Sequence, residues 1–111
     1  CPVTDAYKNM ILEAVDTSTT LTGEKFGAPV RGIKNELTKK YHELEEQSST
    51  LMELEELTLG SLRRAVYDGD VENGSVMAGQ IAGLVTEIRP VKNIIEDVIK
   101  EAREVLKRTD I

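Results

Sequence analysis

At 111 residues the chain has room for one domain that buries roughly two thirds of its extended surface, and it is too short for a complete eight-stranded α/β barrel of about 250 residues. Apolar residues make up 40% and charged residues 31%, and the aromatics are Tyr7, Phe26, Tyr41 and Tyr67 with no Trp, so any core is aliphatic. The net charge is −6 with no basic stripe, which argues against nucleic-acid binding, and no apolar run reaches the roughly 18 residues of a membrane span.

Cys1 is the only cysteine, so no internal disulfide can form, which fits a reducing cytoplasm. Its position fits a trimmed chain or a fragment of a longer one better than a lipid-bearing terminus. Pro2 and Thr4-Asp5 lead almost directly into a helix-like stretch, with no polar linker.

Thr4 or Asp5 is placed to cap a helix predicted over 6–15, where Ala6, Tyr7, Met10, Ile11 and Ala14 recur at helical spacing. The β-branched run from Thr17 to Thr22 suits one short strand or an extended arm. Gly23, Gly27, Pro29 and Gly32 punctuate a loop over 23–32. Ile33, Leu37, Tyr41 and Leu44 form the apolar stripe of a helix over 33–47. Ser49 or Thr50 caps the next helix, which carries Leu51, Leu54 and Leu57, and Gly60 divides it from a segment over 61–68. Asp68-Gly69-Asp70 and Glu72-Asn73-Gly74 read as turns.

Residues 75–89 predict a helix with Met77, Ile81, Leu84, Val85 and Ile88 on one face. Gly79 and Gly83 lie four apart within it, each costing about 1 kcal/mol relative to Ala. Close approach of another backbone or of a ligand is the usual compensation. Pro90 ends the pattern. The helix over 91–108 has the clearest stripe: Val91, Ile95, Val98, Ala102 and Val105, widened by Ile94, Ile99 and Leu106, with Glu96–Lys100 and Glu104–Arg108 at favourable spacing. The expected fold is one mainly α unit over 1–111 with one short β-like segment and at most one short strand pair near 17–32. Buried side chains of this kind are worth about 1.5–3 kcal/mol each. The last stripe therefore needs a cover, which predicts homo-oligomerisation of the isolated chain.

His42 is the only histidine, and no second His or Cys lies within ligand reach, so it reads as a surface residue and not a zinc ligand. The Glu43-Glu45-Glu46 and Glu53-Glu55-Glu56 runs read as solvated helix faces. Neither GxGxxG nor GxxxxGK[ST] occurs, and no residue is assigned a catalytic or metal-binding role.

Two stretches carry more specific information. One runs from Leu59-Gly60-Ser61-Leu62-Arg63-Arg64 through Gly74-Ser75-Val76-Met77-Ala78-Gly79-Gln80-Ile81-Ala82-Gly83 to Ile88-Arg89-Pro90. The other is Thr22-Gly23, then Gly27-Ala28-Pro29-Val30-Arg31, then Lys34-Asn35. Together they resemble the C-terminal part of the FMN-dependent enoyl-acyl-carrier-protein reductases of the TIM-barrel type. The nitronate monooxygenases are similar, sharing the Ala78-Gly79-Gln80 and Gly27-x-Pro29-x-Arg31 elements. Ala28 departs from the pattern, which has a bulkier residue before the proline.

The resemblance implies a helical C-terminal cap and closing helix of a flavin TIM-barrel enzyme whose barrel strands, phosphate anchor and catalytic histidine lie upstream. It implies FMN and NAD(P)H in the parent protein, acyl carrier protein thioesters as substrate, and no cofactor bound by the isolated chain. It also suggests Met77, Gly79 and Gln80 as one edge of the flavin site. Met77 can pack on a flat ring, Gly79 admits close backbone approach, and Gln80 can hydrogen-bond a polar ring edge. The alternative is that Met77 is core and Gln80 caps its own turn. A small acidic helical interaction module, or a self-associating structural unit, is the non-enzymatic reading of the whole chain.

Overall fold

The computed structural model describes residues 1–47 and 49–109. Helices dominate it, and its sheet is a single antiparallel hairpin. The first helix, α1, covers Asp5–Leu12 and stops short of the predicted end, leaving Ala14 buried just beyond it. Thr4 precedes it, but its side chain makes no cap. Its hydroxyl instead donates to the Ala65 carbonyl (2.9 Å) and its N–H to the Val66 carbonyl (3.1 Å). The start of α1 is thus tied to a distant part of the chain.

Strands β1 (Thr19–Thr22) and β2 (Val30–Ile33) pair in the register Thr19 to Ile33 and Thr22 to Val30. A 3-10 helix over Glu24–Phe26 joins them. The pair agrees with the single short strand pair allowed near 17–32, with most of β2 in the stretch read as loop: Pro29 before it and Gly32 within it masked a strand whose stability comes from its partners. Because Ile33 belongs to β2, the next helix, α2, begins later than predicted and spans Glu36–Glu46. Asn35 and Thr38 form a reciprocal capping box there, with the Thr38 N–H donating to the Asn35 side chain (3.0 Å) and the Asn35 N–H to the Thr38 hydroxyl (2.9 Å). Helix α3 (Leu51–Thr58) is capped the same way by Thr50 and Glu53, and Gly60 precedes α4 (Ser61–Val66). The last helix, α5, covers Val91–Arg108 as predicted, with Pro90 at its N-cap position.

The predicted helix over 75–89 does not form. Met77 makes an antiparallel bridge to Gly32, a 3-10 helix covers Gln80–Leu84, and irregular chain without helix runs on to Pro90. The apolar spacing was real, but Ile81 and Leu84 are 70% and 78% exposed and line no helical core face. Pairing with β2 captures the first residues of the stretch, and two glycines remove the helical preference that could have resisted it.

The main core joins Tyr7 of α1, Ala14, Ile33 of β2, Ala65 of α4, Val76 and Ala82. α2 packs on α3, and the residues they bury are Leu37, Tyr41 and Leu54. No residue of α5 is buried; Ile95, Val98 and Leu106 stay more than half exposed.

The close approach expected of the glycine pair is met by one member only. A Cβ on Gly83 would lie 2.8 Å from the Val15 carbonyl carbon and 3.0 Å from the Asp16 nitrogen, whereas a Cβ on Gly79 would meet nothing within 4 Å. Urea denaturation should therefore show Gly83→Ala destabilised by about 1–3 kcal/mol through overpacking against backbone. Gly79→Ala should stay within about 0.5 kcal/mol of the parent.

Burial holds the Tyr7 hydroxyl above its usual range, and burial together with the Glu45 and Glu55 carboxylates does the same at Tyr41. The fold therefore favours both neutral phenols. Their contribution is fully present below the unfolded value of 10.0 and is lost as pH rises through the folded values. Stability measured from pH 8 to 11 should fall at the alkaline end. In the Tyr7→Phe/Tyr41→Phe double variant that alkaline slope should flatten.

Candidate functional site

The segment that carries the candidate site is held from two sides. On one side the Ile33 N–H donates to the Val76 carbonyl (2.8 Å) and the Ala78 N–H to the Arg31 carbonyl (3.4 Å). These two bonds flank the Gly32–Met77 pair, so the polar groups of Met77 itself point away from β2. On the other side the Tyr7 hydroxyl donates to the Met77 carbonyl at 2.7 Å. Gly32 allows the approach: a Cβ there would lie 2.9 Å from the Val76 carbonyl oxygen.

Beyond this clamp the chain is open. Met77 is 44% exposed, and Gly79 and Gln80 are exposed in sequence after it. Gly79 is extended (φ −77°, ψ 172°) with free space above its Cα, and the following 3-10 helix has no side-chain cap. The three residues singled out from sequence therefore lie together along one exposed edge. Within this chain Met77 is not core, and Gln80 does not cap its turn. This exposed stretch presents a thioether, a backbone position without a Cβ and a carboxamide. A phosphate cradle is not part of this edge.

Sequence reasoning did not connect Tyr7 or Gly32 with the Met77 segment that they contact. Tyr7 lay in the apolar stripe of α1, and no local pattern connects it to a carbonyl 70 residues away. The glycine of a Gly-x-Gly or a turn motif would have marked close approach; Gly32 stands alone.

Two further hollows adjoin the fold. An apolar groove of about 490 Å³ runs between Val3, Tyr7 and Ile11 on one side and Val85, Ile88 and Ile94 on the other. Arg89 closes its rim. Its guanidinium bonds to Asp97 and lies 3.1 Å from Glu87, and the bond to Asp97 raises its pKa further. This ties the 85–90 linker to the second turn of α5. Another hollow is lined by Thr20, Lys34, Asn35, Thr38, Lys39 and His42. His42 is half-buried there, with Nε2 3.2 Å from the Thr20 hydroxyl, so it joins α2 to β1.

The structure of FabK from Thermotoga maritima is similar to 96% of this chain, with TM-score 0.86 and 45% sequence identity, and the match takes in 33% of that chain. A single-substitution mutant of the same FabK gives TM-score 0.77 and 40% identity, over 96% of this chain and 31% of that one. A probable nitronate monooxygenase of Staphylococcus saprophyticus subsp. saprophyticus is 29% identical over 102 residues, which is 92% of this chain and 28% of the relative. The chain thus spans a third or less of the length of each of these proteins. The family model of nitronate monooxygenase matches residues 1–101, a span that holds the hairpin, the clamped Met77 segment and most of α5, and on that match the chain belongs to the nitronate monooxygenase family.

Proposed function

We infer that this chain serves as the C-terminal, non-barrel portion of a flavin-dependent oxidoreductase that reduces enoyl thioesters on acyl carrier protein with NAD(P)H in the cytoplasm. The observation that carries the reading is the likeness to FabK at 45% identity over 96% of the chain. It agrees with the Gly74-to-Gly83 and Gly27-x-Pro29-x-Arg31 elements, which resemble the enoyl-acyl-carrier-protein reductases. The bound FMN supplies the redox chemistry.

This chain's residues line and shape the site. Met77 offers a polarizable, half-exposed side chain to one face or edge of the ring. Gly79 keeps the backbone free of a Cβ where the ring needs room, and Gln80 offers a carboxamide that can donate or accept. Clamping the segment between β2 and Tyr7 fixes the backbone that carries these groups. The exposed stripe of α5 packs on the barrel of the whole enzyme.

A second reading, oxidation of nitronates, is favoured by the family model and by the Staphylococcus saprophyticus relative. The full-length protein separates the two. Enoyl-thioester-dependent oxidation of NAD(P)H is expected under the first reading. Nitronate-dependent oxygen uptake without enoyl reduction would replace it with the second.

Two outcomes test the site and the stripe. In the full-length protein, Gly79→Val should release FMN more readily, by about tenfold in dissociation constant for a side chain forced into the ring's space (~1.4 kcal/mol). The remote Lys100→Ala should retain FMN normally. Flavin absorbance after gel filtration reads both. The isolated 111-residue chain should remain colourless and self-associate through Ile95, Val98 and Ile99. In sedimentation velocity, Val98→Glu should shift it toward monomer.

A further inference from the structure

We propose that Tyr7 is a positioning residue for the flavin edge, acting through its hydrogen bond to the Met77 carbonyl; this rests on the reading that Met77, Gly79 and Gln80 form that edge. Tyr7 is 8% exposed, and its hydroxyl spends its donor on one acceptor, the Met77 carbonyl at 2.7 Å. That carbonyl is available because the Gly32–Met77 pair lies between the two ladder bonds and turns its own polar groups outward. The Met77 carbonyl belongs to the same planar peptide unit as the Ala78 N–H, whose bond to the Arg31 carbonyl is long at 3.4 Å. The Tyr7 hydroxyl ties that unit from the opposite side at 2.7 Å and reinforces the weaker of the two ladder bonds.

The phenol is itself immobile. The start of α1 is tied to α4 through both the hydroxyl and the N–H of Thr4, and the Tyr7 ring belongs to the main core with Ile33, Ala65 and Val76. The Met77 carbonyl is therefore referenced to the core and not to solvent. Two residues on, a Cβ at Gly79 would meet nothing within 4 Å, and the Gly79 carbonyl bonds only forward, to the Ala82 N–H (3.1 Å). The bonds at Met77 and Ala78 tie this segment to the core just before the open stretch.

The test uses the full-length protein. Tyr7→Phe keeps the ring and deletes the donor. The expected result is a three- to tenfold rise in the FMN dissociation constant, about the effect of one lost hydrogen bond, with a changed visible band of the bound flavin and unaltered far-UV circular dichroism. Tyr41→Phe makes the same chemical change at a buried tyrosine of α2, outside the site, and should change neither. Gly32→Ala, which presses on the Val76 carbonyl from the opposite side, should move the flavin readouts in the same direction as Tyr7→Phe and serves if that variant folds poorly. Wild-type affinity and spectrum in Tyr7→Phe, alongside a weakened Gly79→Val, would overturn the positioning role and leave the flavin edge standing. Wild-type flavin behaviour in both Tyr7→Phe and Gly79→Val would overturn the edge and the positioning role together.

Discussion

The hydrogen bond from the Ile33 N–H to the Val76 carbonyl (2.8 Å) joins the two halves of the molecule. Ile33 ends the hairpin, and Val76 begins the stretch that holds the candidate site. Both side chains are almost wholly buried, at 4% and 2% exposure, so the bond sits within the core it helps to close. A backbone bond of this kind contributes about 0.5–1.5 kcal/mol net, but leaving its buried partners unsatisfied costs about 1–3 kcal/mol. The pairing of segments 43 residues apart is thus enforced more by what its loss would expose than by what it adds.

Around this bond the chain relies on polar ties, because its aliphatic core is small. The Asn35 carboxamide donates to the carbonyls of Val71 and Gly74, both at 2.7 Å, while its oxygen caps α2. One side chain thereby fixes both the start of a helix and the turn that delivers Val76. Arg64 donates to the carbonyls of Leu59 and Asn73 at 3.0 and 3.2 Å, and the hydroxyls of Ser61 and Ser75 are bonded at 2.6 Å. Asp70 accepts from the N–H of Asn73, which lowers its pKa and rigidifies the same turn. Gly74 lies under this network: a Cβ there would fall 2.5 Å from the Asp70 carbonyl oxygen and 2.6 Å from the Ala65 nitrogen. The turn is as tightly specified as any apolar contact in the protein.

The result is lopsided. The small core leaves Met77, Ile81, Leu84, Ile88 and the α5 stripe exposed to solvent. The molecule extends 54 Å along its longest axis and only 20 Å along its shortest, and α5 alone, at 18 residues, is about 27 Å long. An apolar stripe of that length on a helix with no buried residue is a surface shaped for another body. No helix among the described residues is long and apolar enough to cross a membrane, and in the longer relatives of this family two thirds or more of each chain lies beyond the part matched here.

Local chemistry determined the helices whose signals are local. The Thr50 cap, the break at Gly60 and the span of α5 were legible because cap residues, a glycine and 3.6-residue spacing act within a few positions of themselves. Met77, Gly79 and Gln80 were proposed from sequence on local grounds too: their chemistry lies in the side chains, or in the lack of one, and they are close enough in sequence to stay together in any fold. What only tertiary structure decided was the conformation that presents them. Residues 75–89 have helical apolar spacing, but β2 draws in Val76 and Ala78, and the Val15–Asp16 backbone occupies the space beside Gly83. A short strand pair near 17–32 was within the sequence expectation, but the place of β2 was not, since Gly32 inside it and Pro29 just before it read as loop and the strand is stabilised by its neighbours and not by propensity. The bond from Tyr7 to Met77 spans 70 residues; a sequence shows a tyrosine on an apolar stripe, and only the folded chain shows which carbonyl its hydroxyl meets.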